Sequence, residues 1–249
     1  KWFNPFATLY LNLRCVPLKQ ALKFPVFVFG RPRLYSTFGH IRFPDGCKTG
    51  MVRFNVSISD GPQCEVGNSE LNLWGTLIFR GKCTIGTSNK ICIGMKGVLD
   101  MGNMTKITIL CNVSAFRKVK VGHHSWIVHR CQVFDTSYHY TADFRYGEGR
   151  IRDIARPIVI GNYCWICNSS TITAGVVIPN KTIVASNSLV SKDMSSIPEE
   201  SLIGGIPAKL IFTGIRRVET GISEIWHFFN DNPEQKVFTF PLERKGDFV

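Results

Sequence analysis

The sequence lacks the features that mark a membrane-spanning or exported protein. No stretch reaches about eighteen uninterrupted apolar residues, the length that a transmembrane helix needs. The first residues also lack the layout of a cleavable secretory signal, which ends at a small-residue cleavage site. We therefore expect a soluble protein of the cytoplasm.

Paired metal motifs and nucleic-acid-binding signatures are lacking too. Only one CxxC is present, formed by Cys164 and Cys167, and there is no zinc-finger spacing, basic helix or aromatic RNA-binding motif. The nine cysteines are an odd number, which favours free thiols in a reducing compartment over a disulfide framework. We expect no metal ion and no nucleic-acid partner.

Acidic residues are few in relation to basic ones. The chain of 249 residues has 18 Asp and Glu against 30 Lys and Arg, which gives a net charge of +12. Such a balance favours an anionic ligand, which could be nucleic acid, an acidic membrane surface or a phosphorylated cofactor. Charge alone does not choose among these, but the missing motifs make nucleic acid the weakest of the three.

A strict period of six residues is the main feature that is present. Aliphatic residues recur at this interval without exception, and a small or β-branched residue follows four positions after each of the first five. The aliphatic positions are Ile160, Ile166, Ile172, Ile178, Val184 and Val190, and the small ones are Cys164, Ser170, Val176, Thr182 and Ser188. This is the hexapeptide repeat of a parallel β-helix, in which three short strands complete one turn. The sequence thus predicts an all-β solenoid.

The same period extends backwards and sets the predicted domain limits. Counting in sixes predicts that Ile109, Ala115, Val121, Ile127 and Val133 point inward, and Val66, Ile78, Ile85 and Ile91 continue the series with one missed beat. We place the start of the coil between Gly39 and Met51 and assign residues 39–211 to the β-helix. Residues 212–249 form a C-terminal segment with a short helix, Ser223 to Phe229, for which Ser223 is the expected N-cap.

Residues 1–38 interleave aromatic and basic side chains and differ from the rest. Such a mixture could lie on a membrane interface, or it could cap the open first turn, which any solenoid needs. Pro17 and Pro25 would break a long amphipathic helix, so we favour the cap. A weak contact with the inner membrane surface stays open.

The period stops between about residues 138 and 157, which predicts an inserted loop. It is rich in charge and carries flexible glycines, and loops on rigid scaffolds often hold functional groups. His139 lies where the last regular strand gives way to the insert, with Asp135 nearby in sequence. An imidazole in this place can accept a proton from a hydroxyl at neutral pH.

The chain from Val121 to Ile211 resembles the hexapeptide-repeat O-acetyltransferases, which include galactoside, maltose, capsular and lipopolysaccharide sugar acetyltransferases. The matching motifs are FDTSYH, IVIGNYCWICNSSTITAGVVIPN, VSKD and GGIPAKLI, in the family's order. The resemblance implies a left-handed coil, a homotrimer, acetyl-CoA as co-substrate and a sugar or polysaccharide-precursor acceptor. It also implies that His139 is the general base, while Asp135 fixes its tautomer or binds an acceptor hydroxyl.

The resemblance further implies which residues contact acetyl-CoA. They are Asn168, Ser186, Ser191, Lys192 and Lys209. Trp165 is expected either to line the same groove or to serve in packing. The two lysines offer positive charge to the phosphates. Three departures affect these contacts. The family usually has Gly at Cys167, often Gly-Ala-Gly at residues 185–187, and a KDIPP turn where this chain has residues 192–196 and a longer following segment.

Three alternatives remain open at the level of sequence. An N-acetyltransferase acting on an amino sugar nucleotide would use the same groove. A non-catalytic β-helix scaffold would have no need of His139 with its loop. A metalloenzyme resembling the γ-carbonic anhydrases would need three histidines that converge across adjacent subunits, for which His123, His124 and His129 are the only candidates.

Overall fold

The computed structural model describes residues 1–58 and 67–248, so Val66 lies outside the described residues. The chain divides into two compact units, Lys1–Ile215 and Arg216–Val249. The first unit opens with two helices, α1 (Pro5–Cys15) and α2 (Leu18–Ala21). Asn4 caps α1, because its side chain accepts a hydrogen bond from the Ala7 N–H at 3.0 Å.

Three sheets follow, and the chain visits them in rotation. Sheet 1 contains β1 (Val26–Val28), β4 (Val52–Val56), β7 (Cys83–Gly86), β10 (Thr105–Ile107), β13 (Trp126–Ile127), β18 (Trp165–Ile166), β21 (Ile183–Val184), β23 (Ser201–Gly205) and β24 (Ala208–Thr213). Sheet 2 contains β2 (Arg33–Thr37), β5 (Glu70–Leu73), β8 (Lys90–Ile93), β11 (Asn112–Ala115), β14 (Gln132–Phe134), β19 (Thr171–Thr173) and β22 (Leu189–Val190). Sheet 3 contains β3 (His40–Arg42), β6 (Thr76–Phe79), β9 (Val98–Met101), β12 (Val119–Val121), β17 (Ile158–Ile160) and β20 (Val177–Ile178).

The pairs within these three sheets are parallel, except that β24 folds back antiparallel on β23. Three parallel sheets in this repeating register are typical of a left-handed β-helix. We call the corner from sheet 1 to sheet 2 the first edge, that from sheet 2 to sheet 3 the second edge, and that from sheet 3 to sheet 1 the third edge.

Aliphatic side chains stack from turn to turn inside the coil. Ile127 is the register partner of Ile166, which in turn pairs with Val184 three six-residue sides later. The whole series from Ile160 to Val190 is at most 1% exposed, and the small series from Cys164 to Ser188 is at most 3% exposed. Each such aliphatic side chain contributes about 1.5–3 kcal/mol on burial. The predicted solenoid is therefore confirmed.

The inward position of β10 differs from the prediction. Ile107 is fully buried and pairs with Ile127, whereas Ile109, which counting in sixes places inside, is only half-buried. The reason is that turns before the insert are longer than three six-residue sides, since Ile85 pairs with Ile107. Counting backwards from Ile127 in steps of six therefore no longer lands on the inward-facing residues.

The coil also starts earlier than the limit at residue 39. Its first strand is β1, whose Val26 and Val28 are almost fully buried and pair with β4. Because the outward-facing residue between them, Phe27, is also apolar, the sequence alone does not show which residues of this strand point inward. Residues 1–38, for which the sequence favoured a cap, therefore contain the two helices and also the first strands of the coil.

Residues in the left-handed region of the backbone recur at the first edge, and after Gly30 in the first turn the recurring ones are not glycine. Their φ angles lie between 57° and 61°. They are Ser88, Leu110, Arg130, Ser169 and Asn187. Since non-glycine residues adopt this region uncommonly, the repetition shows that the edge is set by stacking of successive turns.

The second unit is short and helical. It contains α3 (Ile222–Asp231), a 3₁₀ turn (Leu242–Arg244) and α4 (Lys245–Phe248). The N-cap of α3 is Gly221 and not the predicted Ser223, because the glycine reaches the left-handed φ of 65° from which the helix starts. Across residues 1–58 and 67–248, no helix is both long and apolar enough to span a bilayer.

Candidate active site

His139 lies at the base of the predicted insert, just after β14 and at the second edge. Its side chain is exposed, and within the described residues its imidazole makes no hydrogen bond. The Ser137 hydroxyl donates to the carbonyl oxygen of His139 at 3.0 Å and so orders the backbone there. The imidazole is thus free to meet a substrate.

Tyr138, which the sequence analysis did not single out, anchors the start of the insert. Its φ of 60° lies in the left-handed region and redirects the chain out of the coil. The ring packs edge-on against Phe116 and Phe134, with centroids 5.2 and 6.5 Å away, and the hydroxyl donates to Ser114 Oγ at 2.6 Å. The sequence feature that could have identified Tyr138 is its position as an aromatic residue directly before the candidate histidine.

Asp135 has a different environment from the one expected. It is fully buried, and its carboxylate accepts hydrogen bonds of 2.7 Å from the backbone N–H groups of Phe116, Arg117 and Lys118. Burial raises the pKa of this carboxyl, while the three N–H donors oppose the shift. Within the described residues, no hydrogen bond joins Asp135 to His139. Its hydrogen bonds instead stabilise the preceding turn of the coil at the second edge.

The insert forms a small hairpin of β15 (Ala142–Asp143) and β16 (Arg150–Ile151). Arg145 pairs with Asp143 at 2.7 Å and lowers the pKa of that carboxyl. The two ends of the insert are tied together, because Thr136 bridges Ala155. In addition, the Ser137 N–H donates to the Ile154 carbonyl at 3.0 Å.

Two open cavities adjoin this region. One, of about 460 Å³, lies within the hairpin and is lined by Thr141, Ala142, Asp143, Phe144, Arg145, Arg150 and Arg152. The other, of about 420 Å³, lies on the outer face of sheet 2 and reaches Phe134 and Tyr138. Its lining combines aromatic rings with amide and hydroxyl groups, including Tyr35, Asn72, Asn112 and Ser114. Both surfaces can offer hydrogen bonds and ring contacts to a polar ligand.

Four predicted cofactor contacts lie at or beside the first edge. Trp165 is half-buried on the outer face of sheet 1, where its register partner is Trp126. Asn168 and Ser186 sit in successive turns of the edge, since the Asn187 N–H donates to the Asn168 carbonyl at 2.9 Å. Ser186 is exposed and Asn168 half-buried.

Lys209 reaches the same region through β24. Its register partner is Gly204 in β23, and a Cβ on Gly204 would lie 2.9 Å from the Ala185 Cβ. The hairpin therefore stacks on the turn that contains Ser186. The exposed Lys209 adds positive charge at this end of the edge.

Ser191 and Lys192 lie elsewhere, at the second edge. They follow β22, which stacks on β19 and, through it, on β14, the strand that leads to His139. Both side chains are exposed. Within one chain, the residues expected to contact acetyl-CoA are therefore divided between two edges, and the candidate base shares an edge with only two of them.

Within one chain, the three histidines considered for metal binding do not converge. The His123 Nδ1 accepts the Asn103 N–H at 3.0 Å, and the His123 N–H donates to Asn162 Oδ1 at 2.8 Å. The His124 ring stacks on Tyr163 at 4.8 Å at the third edge, whereas the His129 carbonyl accepts the Ser169 N–H at the first edge. In the described part of the chain, no group of three or more His, Cys, Asp or Glu could hold a metal ion.

The CxxC pair also has structural partners. The Cys164 thiol is fully buried and donates to the Pro179 carbonyl at 3.1 Å, while the Cys167 carbonyl accepts from Cys131. All eight cysteines of the described ranges are free thiols.

Comparison with known proteins gives two curated relatives from Escherichia coli. A protein named as the colanic acid biosynthesis acetyltransferase WcaF is 30% identical over 150 residues, which are 60% of this chain and 74% of the relative. A protein named as the lipopolysaccharide biosynthesis O-acetyl transferase WbbJ is 24% identical over 146 residues, which are 55% of this chain and 71% of the relative. No family model matches the chain.

Among solved structures, a hexapeptide-repeat-containing acetyltransferase from Vibrio cholerae in complex with acetyl coenzyme A is similar. It is 27% identical, with a TM-score of 0.38 over 46% of this chain and 60% of that chain. The identity with WcaF extends over nearly three quarters of that relative, and the hexapeptide coil is visible in the three stacked sheets. The chain therefore belongs to the hexapeptide-repeat acetyltransferases.

Proposed function

We propose that this protein transfers an acetyl group from acetyl-CoA to a hydroxyl of a sugar in polysaccharide biosynthesis, with His139 as the general base. The observation that carries the proposal is the exposed His139 imidazole in a member of an acetyltransferase family. Tyr138 and Thr141, on either side of it in sequence, each line an open cavity. The names of WcaF and WbbJ support a saccharide acceptor.

In this mechanism His139 accepts the proton of the acceptor hydroxyl as the oxygen attacks the thioester carbonyl. The new C–O bond forms, the C–S bond breaks, and the proton passes from the imidazole to the departing thiolate. The transfer is direct and needs no acyl-enzyme. A well-placed general base contributes about 10² to 10⁴ in rate, and positioning of the two substrates supplies much of the remainder.

The first edge supports a binding surface for acetyl-CoA. The exposed Ser186 and the half-buried Asn168 offer polar groups to amides of the pantetheine arm. Lys209 lies at the end of this edge and can meet a phosphate. Trp165, beside Trp126, provides an apolar wall.

We further propose that the active protein is a homotrimer with sites between neighbouring coils. The division of the candidate residues supports this, because His139 and Lys192 are on the second edge and Asn168 and Ser186 on the first. Packing the second edge of one copy beside the first edge of the next would bring both sets to one groove. The cofactor would then be shared between two chains.

The decisive experiment measures CoA release from acetyl-CoA with a panel of sugar acceptors. We expect His139→Ala to lower turnover about 10² to 10⁴-fold and to leave CoA binding and oligomer mass unchanged. His40→Ala, an exposed histidine on β3, is the matched control and should keep full activity. Normal turnover by His139→Ala would refute the assignment of the base.

The acceptor panel also separates this function from its nearest rival. It should contain neutral oligosaccharides, acidic polysaccharide fragments and amino sugar nucleotides. Mass spectrometry of the products distinguishes an ester from an amide, since only the ester is cleaved by mild base. An amide product on an amino sugar nucleotide would overturn O-acetyl transfer, and the absence of transfer to every acceptor would favour a scaffold.

Mixed oligomers test the shared site. His139→Ala and a Ser186→Trp variant, which would block the first edge, should each be inactive. If a site takes one edge from each of two copies, reassembly of a mixture restores part of the activity. No recovery from oligomers that are shown by native mass spectrometry to be mixed would place the whole site within one chain.

A further inference from the structure

Helix α1 carries two stripes of side chains at the same helical spacing. One stripe, Thr8, Leu11, Asn12 and Cys15, is buried. The other, Phe6, Leu9, Tyr10 and Leu13, is exposed. An amphipathic helix of a globular protein normally buries its more apolar face. Here the exposed stripe is entirely apolar or aromatic, and half of the buried stripe is polar.

The buried polar residues are hydrogen-bonded and fix the orientation of α1 against β1. The Asn12 amide donates to the Thr8 and Val26 carbonyls, each at 2.7 Å, and its oxygen accepts the Val26 N–H at 3.2 Å. The Thr8 hydroxyl accepts the Val28 N–H at 3.0 Å. These bonds satisfy backbone groups at the open edge of the first strand. Rotating α1 to bury its apolar stripe would leave these backbone groups unpaired, which opposes that rotation.

The exposed stripe continues into neighbouring apolar side chains. Phe6 is 84% exposed, and Leu18 and Leu22 in and after α2 are 68% and 66% exposed. Trp2 is more than half exposed as well. A cluster of exposed apolar side chains in one short segment is typical of a site of contact. Trp and Tyr, which are among them as Trp2 and Tyr10, favour the boundary between water and lipid.

The chain segment that carries these side chains has charge of one sign, although Arg33 pairs with Glu70 from the next turn at 3.4 Å. Residues 1–44 contain seven basic residues and no Asp or Glu. The basic residues are Lys1, Arg14, Lys19, Lys23, Arg31, Arg33 and Arg42. Lys19 and Lys23 are exposed and flank Leu18 and Leu22. Exposed apolar groups with lysines beside them are complementary to an anionic phospholipid membrane.

We propose that the face formed by Phe6, Leu9, Tyr10, Leu13, Leu18 and Leu22 docks this protein on an anionic membrane surface. The apolar side chains enter the interface, and Lys19 and Lys23 meet lipid phosphates. The same helix thereby covers the first turn of the coil with one face and contacts lipid with the other. A second copy of the chain is a poorer occupant, since two such faces would bring like charges together.

Vesicle co-sedimentation of the full chain tests this. Vesicles of equal parts phosphatidylglycerol and phosphatidylcholine should bind the protein, and vesicles of phosphatidylcholine alone should bind it much more weakly. The double variant Phe6→Ser with Leu13→Ser should bind at least about tenfold more weakly. Lys19→Gln and Lys23→Gln should each weaken binding about fivefold, and the wild-type affinity should fall with added salt.

Met95→Ser is the matched control, because Met95 is 79% exposed on another part of the coil. It should bind vesicles as the wild type does. The Phe6 and Leu13 variant should keep its melting temperature and oligomer mass, since neither side chain is buried. Equal binding to both kinds of vesicle, equal loss in the control, or a change of mass in the double variant would overturn the proposal. The last result would show that a second copy covers this face.

Discussion

The hydroxyl of Tyr138 donates a 2.6 Å hydrogen bond to Ser114 Oγ in the preceding turn of the coil, one residue before the exposed His139. This contact links the candidate base to the rigid scaffold. Tyr138→Phe keeps the ring packing but loses the bond, worth about 1 kcal/mol. We expect kcat to fall about fivefold, with the KM for acetyl-CoA unchanged, in steady-state assays.

Tyr146→Phe is the control for that variant. Tyr146 lies in the same insert, is exposed and has Arg150 over its ring at 4.6 Å, a contact that phenylalanine retains. It should have wild-type kcat. An equal loss in both variants would mean that the insert as a whole, and not the Tyr138 anchor, controls the rate.

Asp135→Asn should act on stability more than on acceptor binding. The amide replaces one carboxylate oxygen with a donor that would face backbone N–H groups, so at least one buried donor loses its partner. We expect the free energy of unfolding to drop by about 2 kcal/mol in urea titrations. Asp45→Asn, at an exposed carboxylate, should have no such effect. A raised acceptor KM at full stability would instead favour acceptor binding by Asp135.

Lys192→Ala should raise the apparent KM for acetyl-CoA more than it lowers kcat, because the ammonium would meet a phosphate far from the reacting carbonyl. Lys209→Ala should behave in the same way if the two edges form one groove. Lys96→Ala, which removes an exposed lysine elsewhere on the coil, serves as control. An unchanged KM for both variants would move the phosphate site to other residues.

The buried thiols should be inert in the native protein. Burial raises the pKa of Cys131 and of Cys164 to about 12, so at pH 8 only about one thiol in ten thousand is ionised. Iodoacetamide labelling followed by mass spectrometry should modify both only after denaturation. Labelling of native protein at the rate of free glutathione would show that the turns open readily.

Gly122→Ala should destabilise the coil. A Cβ at this position would lie 2.4 Å from the carbonyl carbon and oxygen of Gly161 in the next turn, so the turns would have to separate. We expect a loss of about 2 kcal/mol and a melting temperature lower by about 4–8 °C. Gly46→Ala, where a Cβ meets nothing within 4 Å, should leave the melting temperature unchanged.

The sequence allowed the regular part of the coil to be predicted in detail. From Ile160 to Val190 every turn has three sides of six residues, so each inward residue follows from the count. The turns before the insert have unequal corners, and there Ile109 was placed inside in error. The partners of Asp135 depend on which preceding turn lies beneath it, and the repeat alone does not supply that information.

Helix α1 shows a second limit of sequence patterns. Its residues fall into two groups at helical spacing, but apolar character alone does not show which group is buried. The hydrogen bonds of Asn12 with the edge of β1 decide this, and they involve residues that are not neighbours in sequence. The division of the cofactor candidates between two edges is likewise a property of the stacked turns.

The hydrogen bonds that join the two ends of the insert have a consequence for how such enzymes diversify. Ser137 and Ile154 are paired at the point where the hairpin leaves the coil. The two ends of the hairpin are therefore held together by residues outside the hairpin itself. Its length and composition can change without altering the register of the turns on either side. Grafting hairpins from relatives onto this position should then keep the scaffold and the histidine in place, and acceptor assays of such variants would test whether the hairpin contacts the acceptor.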